Sequence, residues 1–272
     1  MNEQRLTGAT RFWLSTGNFV AWLGYLFLLM PTLVVVPVSL SGSSELTFPP
    51  KEISFELYRL FFSDPSWWGA ALQSTRIALL TTVLSLLIAV PAAYAVARGN
   101  FRGRKVLTLF LLSPMLVPVI VLGLGLYLHF NLFGIGGTNL SLVLAHTVLV
   151  APFIIVSVSS GLRQIDPALE TVATLMGASR TRIFFTVVLP QIRSALIVGA
   201  LFAFLISFDE VVVSYFIASP ETTTLPVKMY SALRWEISPV IAAISTMLTL
   251  LSLVISVILM KFQPQHNSRD TK

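Results

Sequence analysis

The chain has 272 residues, of which 55% are hydrophobic and 11% charged; 18 Lys and Arg stand against 12 Asp and Glu, a net charge of +6. A soluble domain carries about a quarter charged residues, and a mean hydropathy of +0.83 leaves too much apolar surface for water, so the solvent is lipid. There is no cysteine, which excludes disulfides and thiolate metal sites. His129, His146 and His266 lie too far apart in sequence to read as a zinc site.

A helix that crosses a bilayer needs about 20 mostly apolar residues. Six segments qualify: 19–40, 77–97, 106–130, 140–162, 195–218 and 239–260. The first run, from Phe19, exceeds signal-peptide length and has no small-residue cleavage site, so it reads as a retained span. Residues 106–162 contain no Asp, Glu, Lys or Arg. That is too long for one helix, and the turn-rich Asn131-Leu-Phe-Gly-Ile-Gly-Gly-Thr-Asn139 divides it into a hairpin. Gly123 and Gly125 read as packing glycines, and Gly134, Gly136 and Gly137 as turn glycines. Pro91, Pro114, Pro118 and Pro152 fall inside spans, where lipid-embedded helices tolerate them as kinks.

The basic residues set the orientation rather than a nucleic-acid surface. Arg5, Arg11, Arg98, Arg102, Arg104, Lys105, Arg163, Arg180, Arg182, Arg193, Lys261, Arg269 and Lys272 fall on one side, 13 of the 18. The expectation is an all-α membrane protein of six transmembrane helices with both termini cytoplasmic. It comprises a cytoplasmic segment 1–18, a six-span domain 19–261 with a cytoplasmic loop 163–194, and a tail 262–272. On the outer side lie residues 41–74, with Glu45, Glu52, Glu56 and Asp64, and residues 219–238. Trp67 and Trp68 read as markers of the membrane interface.

No G-x-x-x-x-G-K-[ST] loop and no H-E-x-x-H helix occurs in the sequence. Nothing points to catalysis by this chain, so uphill transport would draw its energy from a partner or an ion gradient.

The loop between the fourth and fifth spans is the most informative stretch. Asp166 is a good N-cap and Pro167 suits the first helical position. Gly177 can end that helix in a left-handed conformation, and Ser179 can cap a second short helix running to Pro190. Leu169, Val172 and Met176 form an apolar stripe at helical spacing, as do Ile183, Val187 and Val188, with Arg180 and Arg182 off it. Such a helical pair can dock onto a partner or rest on lipid headgroups; the residues alone admit either.

This stretch resembles the cytoplasmic signature of ABC importer permeases, E-A-A, three residues, G, nine residues, I-x-L-P. Gly177 is the motif glycine, and Val187-Val-Leu189-Pro190 its end, with valine in place of isoleucine. The E-A-A triplet falls on Thr171, Val172 and Ala173, so only Ala173 matches, and Glu170 stands one residue early. The resemblance covers residues 70–261 and implies the type I importer permease fold in the bacterial inner membrane. It implies an ATPase-coupling loop carrying Asp166, Glu170, Ala173, Gly177, Ala178, Leu189 and Pro190. The implied partners are a second permease subunit, an ABC ATPase dimer and a periplasmic binding protein. No cofactor is implied for this chain; ATP and Mg belong to the ATPase.

The fifth span contains Asp209 and Glu210, and acids within an apolar span are costly and usually functional. Neighbours on a helix point about 100° apart, so both cannot line one path. One can face a pathway while the other pairs within the bundle; equally, both can be structural, binding helix ends or Arg234. Ser207-Phe-Asp-Glu-Val-Val-Val213, Thr224-Leu-Pro-Val-Lys-Met-Tyr-Ser231 and Ile237-Ser-Pro239 are similar to the second permease subunit of spermidine/putrescine importers. That resemblance implies a polyamine substrate, with Asp209 or Glu210 on its path and Tyr215, Tyr230 and Trp235 offering cation–π faces. The alternatives are the same machine for an opine or amino-acid derivative, an ion-coupled secondary transporter, and a membrane enzyme or assembly factor. Six spans without a visible internal repeat disfavour the secondary transporter, and the lack of a catalytic cluster disfavours the last.

Overall fold

The computed structural model describes residues 8–42, 47–235 and 238–262. Arg5, Glu45, Ile237, His266, Arg269 and Lys272 lie outside the described residues. The described residues form helices and turns, with two isolated bridges, Ser41 to Ile53 and Gly137 to Ala218. The helices are α1 (Gly8–Ser39), α2 (Glu56–Ser63), α3 (Pro65–Arg98), α4 (Arg104–Leu112), α5 (Val119–Leu132), α6 (Asn139–Arg163), α7 (Pro167–Leu175), α8 (Arg180–Ile183), α9 (Leu189–Gln191), α10 (Arg193–Phe208), α11 (Val212–Ile217), α12 (Leu225–Trp235) and α13 (Val240–Phe262). The chain forms two compact units, Met1–Asp64 with Ile237–Leu251, and Pro65–Glu236 with Ser252–Lys272.

Among the described residues, four helices are long and apolar enough to cross a membrane: Thr16–Ser39 within α1, α3, α6 and Val240–Val257 within α13. Where each of two bent pairs counts as one span, the number rises to six. The expected third span, 106–130, is not one rod. It is α4 with a short 3-10 turn, Ser113–Met115, followed by α5 at a bend of 100°. Pro118 is the N-cap residue of α5, with φ −53 and ψ 130, an extended conformation that ends helical geometry outright and so exceeds the kink expected.

In the first unit, α1 is apolar around its circumference. Trp22 and Phe27 are each 73% exposed, a pattern that needs lipid or a partner on every side. Beyond it, Ser39 Oγ lies 2.7 Å from Tyr58 Oη, and Ser54 N donates to Leu40 O at 2.7 Å, tying the following loop back to the end of the helix.

The second unit is built on α3, α6 and α10. Its core contains Ala89 and Ala93 of α3, Val150, Ile154, Val158 and Leu162 of α6, and Ala203 of α10. On α3 the buried stripe is small, with Ala78, Thr81, Ser85 and Ala89 fully or nearly fully buried, while Leu79, Leu80, Val83 and Leu87 are exposed. This inverts the soluble pattern, because lipid gives leucine nothing to gain from burial and small residues let helices approach closely. The same logic joins α6 to α10. A Cβ on Gly161 would come within 2.7 Å of Ala195 Cβ, and Ser157 Oγ donates to Ala195 O at 2.8 Å.

α3 and α6 run parallel. Arg98 at the end of α3 meets Leu162 and Ile165 at the end of α6, and Gln73 near the start of α3 donates to Asn139 at the start of α6. The hairpin expected at 131–139 is present: Gly134 and Gly137 take φ +69 and +72, and Thr138 caps α6 by accepting from Ser141 N. Trp67 is 6% exposed, with Lys228 Nζ 4.7 Å from its ring centre. It therefore belongs to the packed interior rather than to an interface belt, whereas Trp68 is 45% exposed.

Candidate functional site

Two places in the second unit bring polar chemistry to the spans: the loop after α6 and the break after α10.

The loop is assembled by local rules. Asp166 accepts from Ala168 N at 2.9 Å, with Pro167 at the first helical position. Gly177, at φ +83, closes α7 in a Schellman arrangement: Ala178 N donates to Ala173 O at 3.1 Å and Gly177 N to Thr174 O at 2.9 Å. A Cβ there would touch nothing within 4 Å, so glycine is required by backbone angle and not by space. Ser179 accepts from Arg182 N at 3.3 Å and starts α8. The second helix then loosens into a π turn, Phe184–Val188, before α9 with Leu189 and Pro190.

The two apolar stripes face different ways. Ile183 and Val188 are 3% and 0% exposed and join the bundle core, with Ala173 and Ala178 packed against it. Leu169, Val172, Leu175 and Met176 remain uncovered, the last two 83% exposed. The loop therefore has a root of Ile183 and Val188 and an uncovered apolar tip on α7.

Glu170 belongs to the root. Its Oε1 accepts from Arg98 Nε and its Oε2 from Tyr94 Oη, each at 2.7 Å. Arg98 donates further to Leu162 O and Ile165 O, both at 3.0 Å. Tyr94 also packs edge-on against Phe184, ring centres 5.2 Å apart. One arginine thus satisfies a carbonyl in the last turn of α6, one just beyond that helix, and the carboxylate of α7 together. The sequence marks Arg98 only as an orientation charge, and nothing in the spacing links residue 94 or 98 to 170.

The break after α10 departs from the expected continuous span 195–218. α10 ends at Phe208, residues 209–211 are non-helical, and α11 resumes at Val212. Asp209 is the C-cap, its N–H donating to Leu205 O at 3.0 Å. Glu210 turns inward along the chain, its Oε1 accepting from Val213 N at 2.9 Å and capping α11. The carboxylate of Asp209 is exposed, and among the described residues no donor meets it. Helical spacing puts Asp209 on the stripe of Val198, Phe202 and Ile206. These three residues, with Asp209 one turn beyond the last of them and outside the lining, face an open groove of about 1050 Å³ that continues past Ser157 and Ser160 to Gln164, Gln191 and Arg193.

Arg234 bonds neither acid. It donates to Tyr230 Oη at 2.7 Å and lies 6.0 Å from the Tyr230 ring and 5.7 Å from the Trp235 ring. Tyr215 stacks edge-on against Tyr230 at 5.7 Å. Two of the three expected cation–π faces thus already carry the protein's own cation. His146 stands alone in sequence, with no neighbouring residue to mark it. It is 0% exposed, with Nδ1 2.8 Å from Ser207 Oγ and Nε2 2.9 Å from Ser214 Oγ.

Residues 85–269 match the family model of the binding-protein-dependent transport system inner membrane component. The chain belongs to that family. The permease is 31% identical over 251 residues to the spermidine/putrescine transport system permease protein PotC of Escherichia coli (strain K12), covering 91% of this chain and 95% of the relative. It is 31% identical over 232 residues to the putrescine transport system permease protein PotI of the same strain, covering 83% of each. In structure it is similar to a chain of a bacterial ABC transporter involved in the import of the acidic polysaccharide alginate, with a TM-score of 0.76, 17% identity, and 95% and 99% of the two chains covered. The permease is therefore a multi-pass inner-membrane subunit of an ABC importer that works with an ATPase and a periplasmic binding protein. It is a non-catalytic component that uses no cofactor itself; ATP is hydrolysed by the partner.

Proposed function

We propose that this permease forms half of a pathway for polyamines such as putrescine or spermidine, or related small amines, and that Asp209 is the acid the cation meets. The observation that carries the reading is the division of labour at the break: Glu210 is spent on Val213 N, while Asp209 stands open on the groove-facing stripe of α10. An ammonium group beside a carboxylate in a low-dielectric site is stabilised far more than in water. Of the aromatics, Tyr215 is the one without Arg234 against its ring; Tyr230 and Trp235 belong to the rim around that arginine.

The reading extends to the machinery. Both termini and the loop 163–194 lie on the cytoplasmic side. The uncovered tip of α7, Leu169, Val172, Leu175 and Met176, docks on the ATPase, and Glu170, Ala173, Gly177, Ala178, Leu189 and Pro190 set its angle. A second permease subunit completes the groove along α10. Reporters fused to both ends test the orientation, and a periplasmic signal from either end contradicts it. The substrate test is uptake of labelled putrescine and spermidine by cells carrying Asp209→Asn or Glu210→Gln at matched membrane levels. Asp209→Asn should reduce uptake strongly and Glu210→Gln should reduce yield; full transport by Asp209→Asn removes the cation reading. A second solute, one with both charges such as an opine or amino-acid derivative, is favoured by Arg193, a cation that lines the groove. Competition by such compounds against putrescine separates the two.

A further inference from the structure

The break at 209–211 lies in the middle of an apolar stretch with no proline, and its only glycine nearby is Gly199, ten residues earlier. Glu210 caps the start of α11 locally through Val213 N, but no proline or glycine ends α10 there, and a contact from another span joins the two flanks. His146 reaches both sides of it, with Ser207 two residues before Asp209 and Ser214 four residues after Glu210. In an unbroken helix, positions 207 and 214 are two turns apart, about 10.5 Å along the axis. The two bonds of 2.8 and 2.9 Å across a ring whose nitrogens lie roughly 2.2 Å apart let the hydroxyls be at most about 8 Å from each other. The bridge therefore fits the broken form better than the continuous one.

The chemistry of the bridge is complete. A neutral imidazole offers one N–H and one bare nitrogen, and each serine hydroxyl can donate or accept, so both contacts are satisfied with the ring uncharged. Removing the ring leaves two buried hydroxyls, Ser207 at 3% and Ser214 at 0% exposure, without these partners, and a continuous helix would then satisfy the backbone at 209–211 again.

We propose that His146 is a positioning residue for the transport pathway: by bridging Ser207 and Ser214 it keeps the helix broken at 209–211, and so keeps Asp209 at the end of the stripe of α10 that lines the groove. This rests on the reading of Asp209 as the substrate-facing acid, and the test has one arm that does not.

The native chain has no cysteine, so Val211→Cys supplies a single reporter thiol beside the acid. The permease assembled with its ATPase and binding protein in proteoliposomes is labelled with N-ethylmaleimide and, separately, assayed for putrescine uptake. His146→Ala and, as a milder variant, Ser214→Ala should each change the labelling rate at position 211 by about threefold or more. In the chain without the reporter they should raise KM for putrescine about fivefold, with kcat held within about twofold. His146→Gln, which can still reach Ser214, should return KM most of the way, whereas a residue that only fills space would not be rescued by an amide. In an Asp209→Asn background, His146→Ala should add little further change to KM, because both act on one contact.

Unchanged labelling in both His146→Ala and Ser214→Ala overturns the bridge. Changed labelling with unchanged KM, where Asp209→Asn by itself raises KM, overturns the positioning role. If Asp209→Asn leaves KM unchanged, the pathway reading fails instead, and the labelling arm alone then decides whether His146 holds the break.

Discussion

The loop after α6 and the break after α10 are both places where a helix stops and another begins in a new direction, and they are stopped by different means. The loop is held by groups close in sequence: Asp166 on Ala168, Gly177 on Thr174, Ser179 on Arg182. The break has a local cap in Glu210 on Val213, but its two flanks are joined by His146, 61 and 68 residues away. A junction that must present one fixed shape to a soluble partner can afford glycine and caps, because water satisfies what they leave over. Within lipid an opened helix needs partners for its polar groups, and those come from a neighbouring span. The comparison therefore separates turns that are capped locally before their root docks on the bundle through Glu170, Ile183 and Val188 from a break whose flanks are joined only through a third helix.

The largest effect should come from the exposed tip of α7. Leu175→Asp with Met176→Asp places unpaired charge where an apolar contact is proposed, at a cost of about 3–5 kcal/mol if the surface is buried in the complex. Association with the ATPase, measured by co-purification, should be lost while the permease still inserts; intact association would break the docking reading and leave the tip as a headgroup contact.

Next comes the root. Glu170→Ala deprives Arg98 and Tyr94 of a shared acceptor that is 15% exposed, worth about 1–3 kcal/mol. Thermal stability should fall, and binding-protein-stimulated ATP hydrolysis should fall more than basal hydrolysis, with Glu170→Gln intermediate. Equal loss of both activities would mean that the contact stabilises without coupling.

Asp209→Asn should lower putrescine uptake about tenfold, a change of about 1.4 kcal/mol, with no loss of stability because among the described residues nothing donates to that carboxylate. Glu210→Ala, which removes the acceptor of Val213 N, should do the reverse, costing about 1 kcal/mol of cap stability and little uptake per molecule. If the two exchange roles, the break presents its acids the other way round.

The smallest effect should be at Gly177. Ala there costs about 1 kcal/mol for the left-handed backbone and meets no neighbour, so melting should shift slightly. Val should shift it further, being β-branched. A neutral Gly177→Val would show that the turn is held by the root and not by its own angle.

Much of this permease was legible because lipid imposes simple rules. The spans at 19–40, 140–162 and 239–260 follow from length and hydropathy alone, as does the hairpin at 131–139. The caps of the loop follow from Asp166, Pro167, Gly177 and Ser179, since capping acts within four residues. The third and fifth spans misled for one reason: an uncharged apolar run looks the same whether its helix is straight, bent by 100° before α5, or opened at 209–211. Hydropathy measures what a segment can dissolve in, and all these forms dissolve in lipid.

By itself, then, the sequence determined that the chain lives in a membrane, how many apolar passes it has, and the local shape of its loop, because transfer energy and capping are short-range properties. The bond of Glu210 to Val213 N is again a cap three residues long, but that Asp209 meets no donor among the described residues only the tertiary structure decided. It also decided the partners of Glu170 and of His146. Each of those depends on Arg98, Tyr94, Ser207 or Ser214 arriving from another helix, and a hydrogen bond between helices has no periodicity that a single chain can display.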